Sequence, residues 1–133
     1  MPGLEGTVSI RVRYPEVDRM GVAHHASHFV WFEIGRTELM RERGVPYLAV
    51  EEQGFHLPVI AASCAYTAPA RYDERLRVRT RLDEIGAVRV IFSYRIERES
   101  DGALVASGST THAAVDRHGR PCRLPDFIRE LGS

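Results

Sequence analysis

The chain has 133 residues, 18 basic and 18 acidic side chains, a formal net charge of zero and 44% apolar residues. This is the composition of a soluble globular protein with one hydrophobic core, and it argues against a generally basic nucleic-acid surface. Two cysteines, Cys64 and Cys122, supply neither a disulfide framework nor a cysteine metal cluster. With no secretory leader pattern and no run near ~18 apolar residues, the expectation is a cytoplasmic protein with no membrane span, forming one domain over residues 1–133.

Residues 1–6 read as a loose start. From Thr7, Val8, Ile10, Val12 and Tyr14 alternate with polar residues, the period of a half-buried strand. Pro15 ends it, and a loop carrying Asp18 and Gly21 follows. Ser27 is the expected cap of a helix starting at His28 or Phe29. Phe29, Phe32, Arg36, Leu39, Met40 and Arg43 then recur at helical spacing, with Trp31 and Ile34 widening the apolar face, so the helix should pack deeply. Gly44 suits the position just past its end, and Pro46 to Gly54 bracket a second, short helix.

The remainder alternates as strands. Runs are expected at about 55–68, from Glu74 through Leu76, Val78, Thr80 and Leu82, over Val88, Val90, Phe92, Tyr94 and Ile96, and over 103–115. Gly86 and Asp101-Gly102 mark turns between them. The last run is rich in Ala, Ser, Gly and Thr, so another element should approach its face closely. Residues 125–131 suit a terminal helical turn. One strand, one long helix and four more strands make an α+β domain, and a partner subunit is one way to cover a leftover sheet face or edge.

Residues 17–33 are the centre of interest: an acidic residue in a glycine-containing loop, then His24, His25 and His28, then the helix. A helix N-terminus has unpaired N–H groups that attract negative charge. Asp18 is either an exposed turn residue or a nucleophile or general base beside that terminus. Glu16 is its nearest rival. The histidines lack a convincing metal-ligand spacing, so hydrogen bonding across the loop is the better reading and no metal is assigned. Glu33 and Arg36, three apart, are expected to form an ion pair on the helix. Cys64 reads as a core thiol. Pro69-Ala70-Arg71-Tyr72-Asp73 breaks the strand pattern, as a bulge or as a place where Arg71, with Arg89 or Arg95, meets the phosphates of an anionic cofactor.

Taken together, Tyr14-Pro15-Glu16-Val17-Asp18, Gly21-Val22, His25-Ala26, Phe32-Glu33-Ile34-Gly35-Arg36, the segment from Pro69 to Asp73 and Leu124-Pro125 resemble the signature of hot-dog-fold acyl-CoA thioesterases of the 4-hydroxybenzoyl-CoA thioesterase type. The resemblance covers nearly the whole chain. It implies a five-stranded antiparallel sheet wrapped around a long central helix, and a homodimer that associates as a dimer of dimers. It also implies a site at the dimer interface, lined by Phe29 or Phe32 and by the partner strand around Ser63. Asp18 matches the family's catalytic carboxylate, and the backbone N–H of His25 matches the group that polarises the thioester carbonyl. Arg71 and Arg89 become the candidates for coenzyme A phosphates, with coenzyme A part of the substrate and no separate cofactor. Asp73 becomes a structural residue near the strand crossover. Relatives of the bacterial housekeeping type commonly read tyrosine-histidine-alanine-asparagine-tyrosine where this chain has His24-His25-Ala26-Ser27-His28. Acyl-carrier-protein thioesterase, hot-dog dehydratase and non-catalytic acyl-CoA binding are the competing readings.

Overall fold

The computed structural model describes residues 4–132, so Met1, Pro2, Gly3 and Ser133 lie outside the described residues. Five strands, β1 (Leu4–Arg11), β2 (Val59–Tyr66), β3 (Arg75–Ile85), β4 (Arg89–Arg98) and β5 (Leu104–Ala113), form one sheet in the order β1-β3-β4-β5-β2. Every neighbouring pair is antiparallel. The first strand starts at Leu4, inside the stretch expected to be loose, because its residues pair along their whole length with β3, from Leu4 opposite Leu82 to Arg11 opposite Arg75.

Alternation sets the two faces of the sheet. Leu76, Val78, Thr80 and Leu82 of β3 and Val90, Phe92, Tyr94 and Ile96 of β4 are buried, while Arg75, Arg79, Arg81 and Arg95 point to solvent. Val88, expected on the buried face of this run, instead precedes β4 and is exposed. The β4–β5 turn works as its sequence implies: Gly102 takes φ +73°, and Asp101 accepts a hydrogen bond from the backbone N–H of Ala103 through Oδ1 at 3.0 Å.

The helix α1 (Ser27–Glu42) spans 16 residues and lies on the inner face. Trp31, Phe32, Leu39 and Met40 join the strand residues in the core. Two glycines permit the close approach. A Cβ at Gly35 would collide with the Thr80 hydroxyl and sit 2.9 Å from Val78 Cγ1. A Cβ at Gly108 of β5 would sit 2.8 Å from the Phe32 ring. The small-residue composition of β5 thus makes room for Phe32, which also stacks on Tyr94 with ring centroids 4.2 Å apart.

The helix does not use Ser27 as its cap. The N-cap is Ala26, with no side-chain hydrogen bond, and the Ser27 hydroxyl donates instead to the backbone carbonyl of Glu16 at 2.9 Å. That carbonyl also receives the His24 N–H, so the loop and the helix start are drawn together at one acceptor. Gly44, at φ +81°, follows the C-cap Arg43, and a second helix, α2 (Tyr47–Glu52), is closed by Gly54 at φ +88°. A terminal turn, α3 (Asp126–Arg129), buries Ile128. Among the described residues no helix is long and apolar enough to cross a membrane.

Candidate active site

The loop before α1 is a tight hairpin built around Asp18. Its backbone N–H donates to the Val22 carbonyl at 2.8 Å, and its own carbonyl accepts from Gly21 at 3.0 Å. The side chain completes the turn, with Oδ1 accepting from the N–H groups of Met20 (2.8 Å) and Val22 (3.1 Å). Gly21 supplies the left-handed corner at φ +77°. Two amide donors hold one carboxylate oxygen and fix the orientation of the group. The second oxygen accepts no hydrogen bond from the described residues, and the side chain is exposed in the single chain.

Glu16, the rival two residues earlier, is fully committed. It is buried, accepting from the Arg13 backbone N–H at 2.7 Å, from the Arg13 guanidinium at 3.1 Å and from Trp31 Nε1 at 3.1 Å. This carboxylate anchors the loop to the helix and is not available to a substrate.

Asp18 shares a cavity of about 480 Å³ with His24, His25 and His28, with Tyr66 at the end of β2, and with the segment 67–70. The second wall is fixed by backbone pairing: Ala23 donates to the Ala70 carbonyl at 2.8 Å, and Tyr72 donates to Gly21 at 2.9 Å. The Pro69-to-Asp73 segment is therefore the crossover from β2 to β3 that closes the cleft. Asp73 sits at φ 68° and gives its carbonyl to Arg11.

Both peptide units around His25 are pinned. The His24 carbonyl accepts from Ser27 N–H at 3.0 Å. The His25 carbonyl accepts from the Tyr66 hydroxyl at 2.7 Å and lies 3.2 Å from Nδ1 of His28, which must be the donor because a carbonyl only accepts. In a trans peptide the N–H points opposite to the C=O. The His25 N–H therefore points away from the helix, and among the described residues it donates no hydrogen bond. A preorganised, unspent N–H beside a helix N-terminus suits a developing oxyanion.

Of the three imidazoles, those of His24 and His25 are exposed. His28 is buried between Trp31 and Tyr66, and burial lowers its pKa below the ordinary histidine value. Among the described residues no group of three or more His, Cys, Asp or Glu side chains is placed to hold a metal ion.

Other expected site residues are dispersed. Phe32 is fully buried in the core, and neither it nor Phe29 lines the cleft. Ser63 lies on exposed β2 beside Ser109. The Arg71 side chain is exposed at the edge of the cleft wall, where its backbone pairs with Val22. Arg89 starts β4, whose other end, at Arg98, reaches Pro69 of the cleft. At a strand rise near 3.3 Å per residue, Arg89 is about 30 Å from the cleft of its own chain. Glu33 and Arg36 form no ion pair, because Glu33 is exposed whereas Arg36 turns inward beside the Tyr94 hydroxyl. Tyr66 was invisible to sequence reasoning, since its role depends on a partner 41 residues away.

Comparison with known proteins accords with this architecture. Residues 12–131 match the Thioesterase-like superfamily. The chain is similar to the Acyl-CoA thioester hydrolase YbgC of Escherichia coli O6:H1, 31% identical over 120 residues that cover 90% of this chain and 89% of the relative. The crystal structure of the hypothetical protein TT1821 from Thermus thermophilus superposes with a TM-score of 0.89 at 40% identity, covering 96% of this chain and 95% of the other. The DHNA-CoA thioesterase from Staphylococcus aureus gives a TM-score of 0.89 at 29% identity, covering 96% and 86%.

Proposed function

The chain belongs to the Thioesterase-like superfamily and is a thioester hydrolase, and from that premise we propose that Asp18 and the His25 backbone N–H are the groups that cleave acyl-CoA to the free acid and coenzyme A. The observation that carries the reading is the shared cavity. A carboxylate with one oxygen tied by two amides and the other unspent lines the same space as a pinned, unspent N–H.

The thioester carbonyl oxygen accepts from the His25 N–H, and the N-terminal end of the α1 dipole favours the negative charge that develops on it. The free oxygen of Asp18 then acts on the acyl carbon in one of two ways. It takes a proton from a water that attacks, or it attacks directly to give a mixed anhydride that water opens. In both cases the C–S bond breaks, the sulfur leaves as the coenzyme A thiolate and takes up a proton, and water supplies the oxygen of the acid. No separate cofactor or metal enters this scheme.

The working unit in this proposal is a homodimer made through β2, which can pair further as a dimer of dimers. β2 is a sheet edge with a free row of N–H and C=O groups, and its residues, including Val59, Ile60 and Tyr66, are exposed in the single chain. Arg71, at the rim of its own cleft, meets the coenzyme A phosphates, and Arg89 reaches a cleft only across the pair. Half-buried free thiols at Cys64 and Cys122 suit the reducing cytoplasm.

The test is Asp18→Asn. Asparagine keeps an oxygen for the Met20 and Val22 amides, so loop and dimer should persist while thiol release falls at least about a hundredfold. A folded D18N enzyme with near wild-type turnover removes Asp18 from the mechanism.

A further inference from the structure

A second cavity, of about 230 Å³, lies beside the C-terminal half of α1, between that helix, α2 and the start of β2. Met40, Leu57, Val59 and Phe92 give it apolar sides. His112 Nδ1 is 2.9 Å from the Leu57 carbonyl, which can only accept, so Nδ1 carries the proton and Nε2 is bare. Nε2 therefore accepts from the Thr110 hydroxyl at 2.9 Å, and Thr110 in turn accepts from Tyr94 at 2.6 Å. Leu57 N–H donates to the Tyr47 oxygen at 3.0 Å, which leaves the Tyr47 hydroxyl proton for the cavity.

The Tyr47 hydroxyl proton is unspent, and the half-buried Arg36 guanidinium, beside the Tyr94 hydroxyl, forms no ion pair among the described residues. Burial, with Arg36 nearby, lowers the His112 pKa to about 4, so the imidazole stays neutral and keeps both hydrogen bonds. Among the described residues the one carboxylate at this cavity is Glu33, at an exposed position where water screens it. A half-buried cation without a counterion is costly unless an anion completes the site.

Strand β2 links this cavity to the catalytic cleft. Val59 borders the cavity at one end of β2, and Tyr66 borders the cleft at the other. Within one chain these ends are about 23 Å apart at the rise of a strand, too far for both to hold one short acyl group. Both nevertheless face the helix. The register shift between Val59 and Ala61 inserts one extra residue, so Val59, opposite buried His112, shares a face with Ala62, opposite buried Thr110, and with Tyr66, opposite buried Ala106. If two β2 strands pair antiparallel with full overlap, Val59 of one copy lies across from Tyr66 of the other, on the same side of the joined sheet.

Resting on the β2-paired dimer proposed above, we infer that this cavity receives the far end of the acyl group held in the partner's cleft, and that Arg36 selects acyl groups ending in a carboxylate, the monothioesters of dicarboxylic acids.

The experiment compares acyl-CoA pairs of equal chain length with and without a terminal carboxylate, such as adipyl against hexanoyl and suberyl against octanoyl. The wild-type enzyme should prefer the carboxylate-ended member in kcat/KM. Arg36→Met should lower that preference about tenfold or more, the scale of one charge-assisted hydrogen bond, and Arg36→Lys should retain part of it. Should R36M fail to fold, Arg36→Gln, which keeps donors without the charge, takes its place. Mixing D18N with R36M subunits tests the crossing: each mixed dimer then contains one site with intact Asp18 and an intact Arg36 cavity, so the preference returns. Absence of a preference in the wild type, a preference for a hydroxyl-ended acyl group over the carboxylate, equal losses on both members of a pair, or no recovery on mixing each overturns the inference. The Asp18 reading fails separately, through an active D18N homodimer.

Discussion

The Tyr66 hydroxyl donates to the backbone carbonyl of His25 over 2.7 Å, joining the end of the edge strand to the turn that precedes α1. That bond holds one peptide beside the proposed reacting centre from a residue with no step of its own in the proposed chemistry. Tyr66→Phe keeps the ring against His28 but removes the shorter of the carbonyl's two hydrogen bonds, leaving only the one from His28 Nδ1. We expect kcat to fall on the order of tenfold, the cost of a less well aimed oxyanion donor, with KM changing far less. A steady-state comparison of the two enzymes checks it, and an unchanged kcat would show that the turn holds its shape without Tyr66.

Stability should fall on acidification through His112. Its folded-state pKa is depressed to about 4 by burial, against an ordinary value of 6.5. As pH drops the unfolded chain takes up the proton first, so stability is full above about 6.5, declines between 6.5 and 4, and levels off below. The loss is about 3 kcal/mol over that window. His28, lowered in the same direction, adds to the slope. Urea unfolding at pH 7 and pH 4.5 should show the decline in the wild type and a shallower one in His112→Asn.

Gly35→Ala should destabilise the protein although alanine favours helices by up to about 1 kcal/mol. The new Cβ meets Thr80 and Val78 side chains that are already packed against the helix. Overpacking of this kind costs about 1–3 kcal/mol, so a lower denaturation midpoint is expected, and Val78→Ala in the same chain should recover part of it.

Chelators should leave thioester hydrolysis unchanged, since the proposed steps route nothing through a metal. Thiol release measured after prolonged incubation with EDTA tests this; inhibition reversed by added Zn²⁺ would contradict it.

The sheet was legible in the sequence because alternation is a local property: the face made by Val90, Phe92, Tyr94 and Ile96 could be read from spacing alone. The missed features depend on distant partners. Asp18 and Glu16 are chemically alike and two residues apart, and what separates their roles is Trp31, which claims Glu16 from 15 positions further on. Ser27 has the composition of a cap, but the Glu16 carbonyl competes for its hydroxyl. Three-residue spacing made Glu33 and Arg36 neighbours without deciding which way Arg36 turns. Phe32 was expected at a pocket wall from the family resemblance, yet the space opened by Gly108 draws it into the core, as its helical apolar spacing implies.

The extra residue near Ile60 works as a parity switch on the edge of the sheet. Deleting one residue there would leave the strands able to pair while rotating Val59 to solvent, and the lip of the second cavity would leave the surface proposed to meet a partner. A change of one residue in length could thus alter which acyl groups the enzyme accepts without touching a catalytic side chain. Loop-length variation at the beginning of β2 is therefore a route by which specificity could drift while the chemistry proposed at Asp18 is preserved.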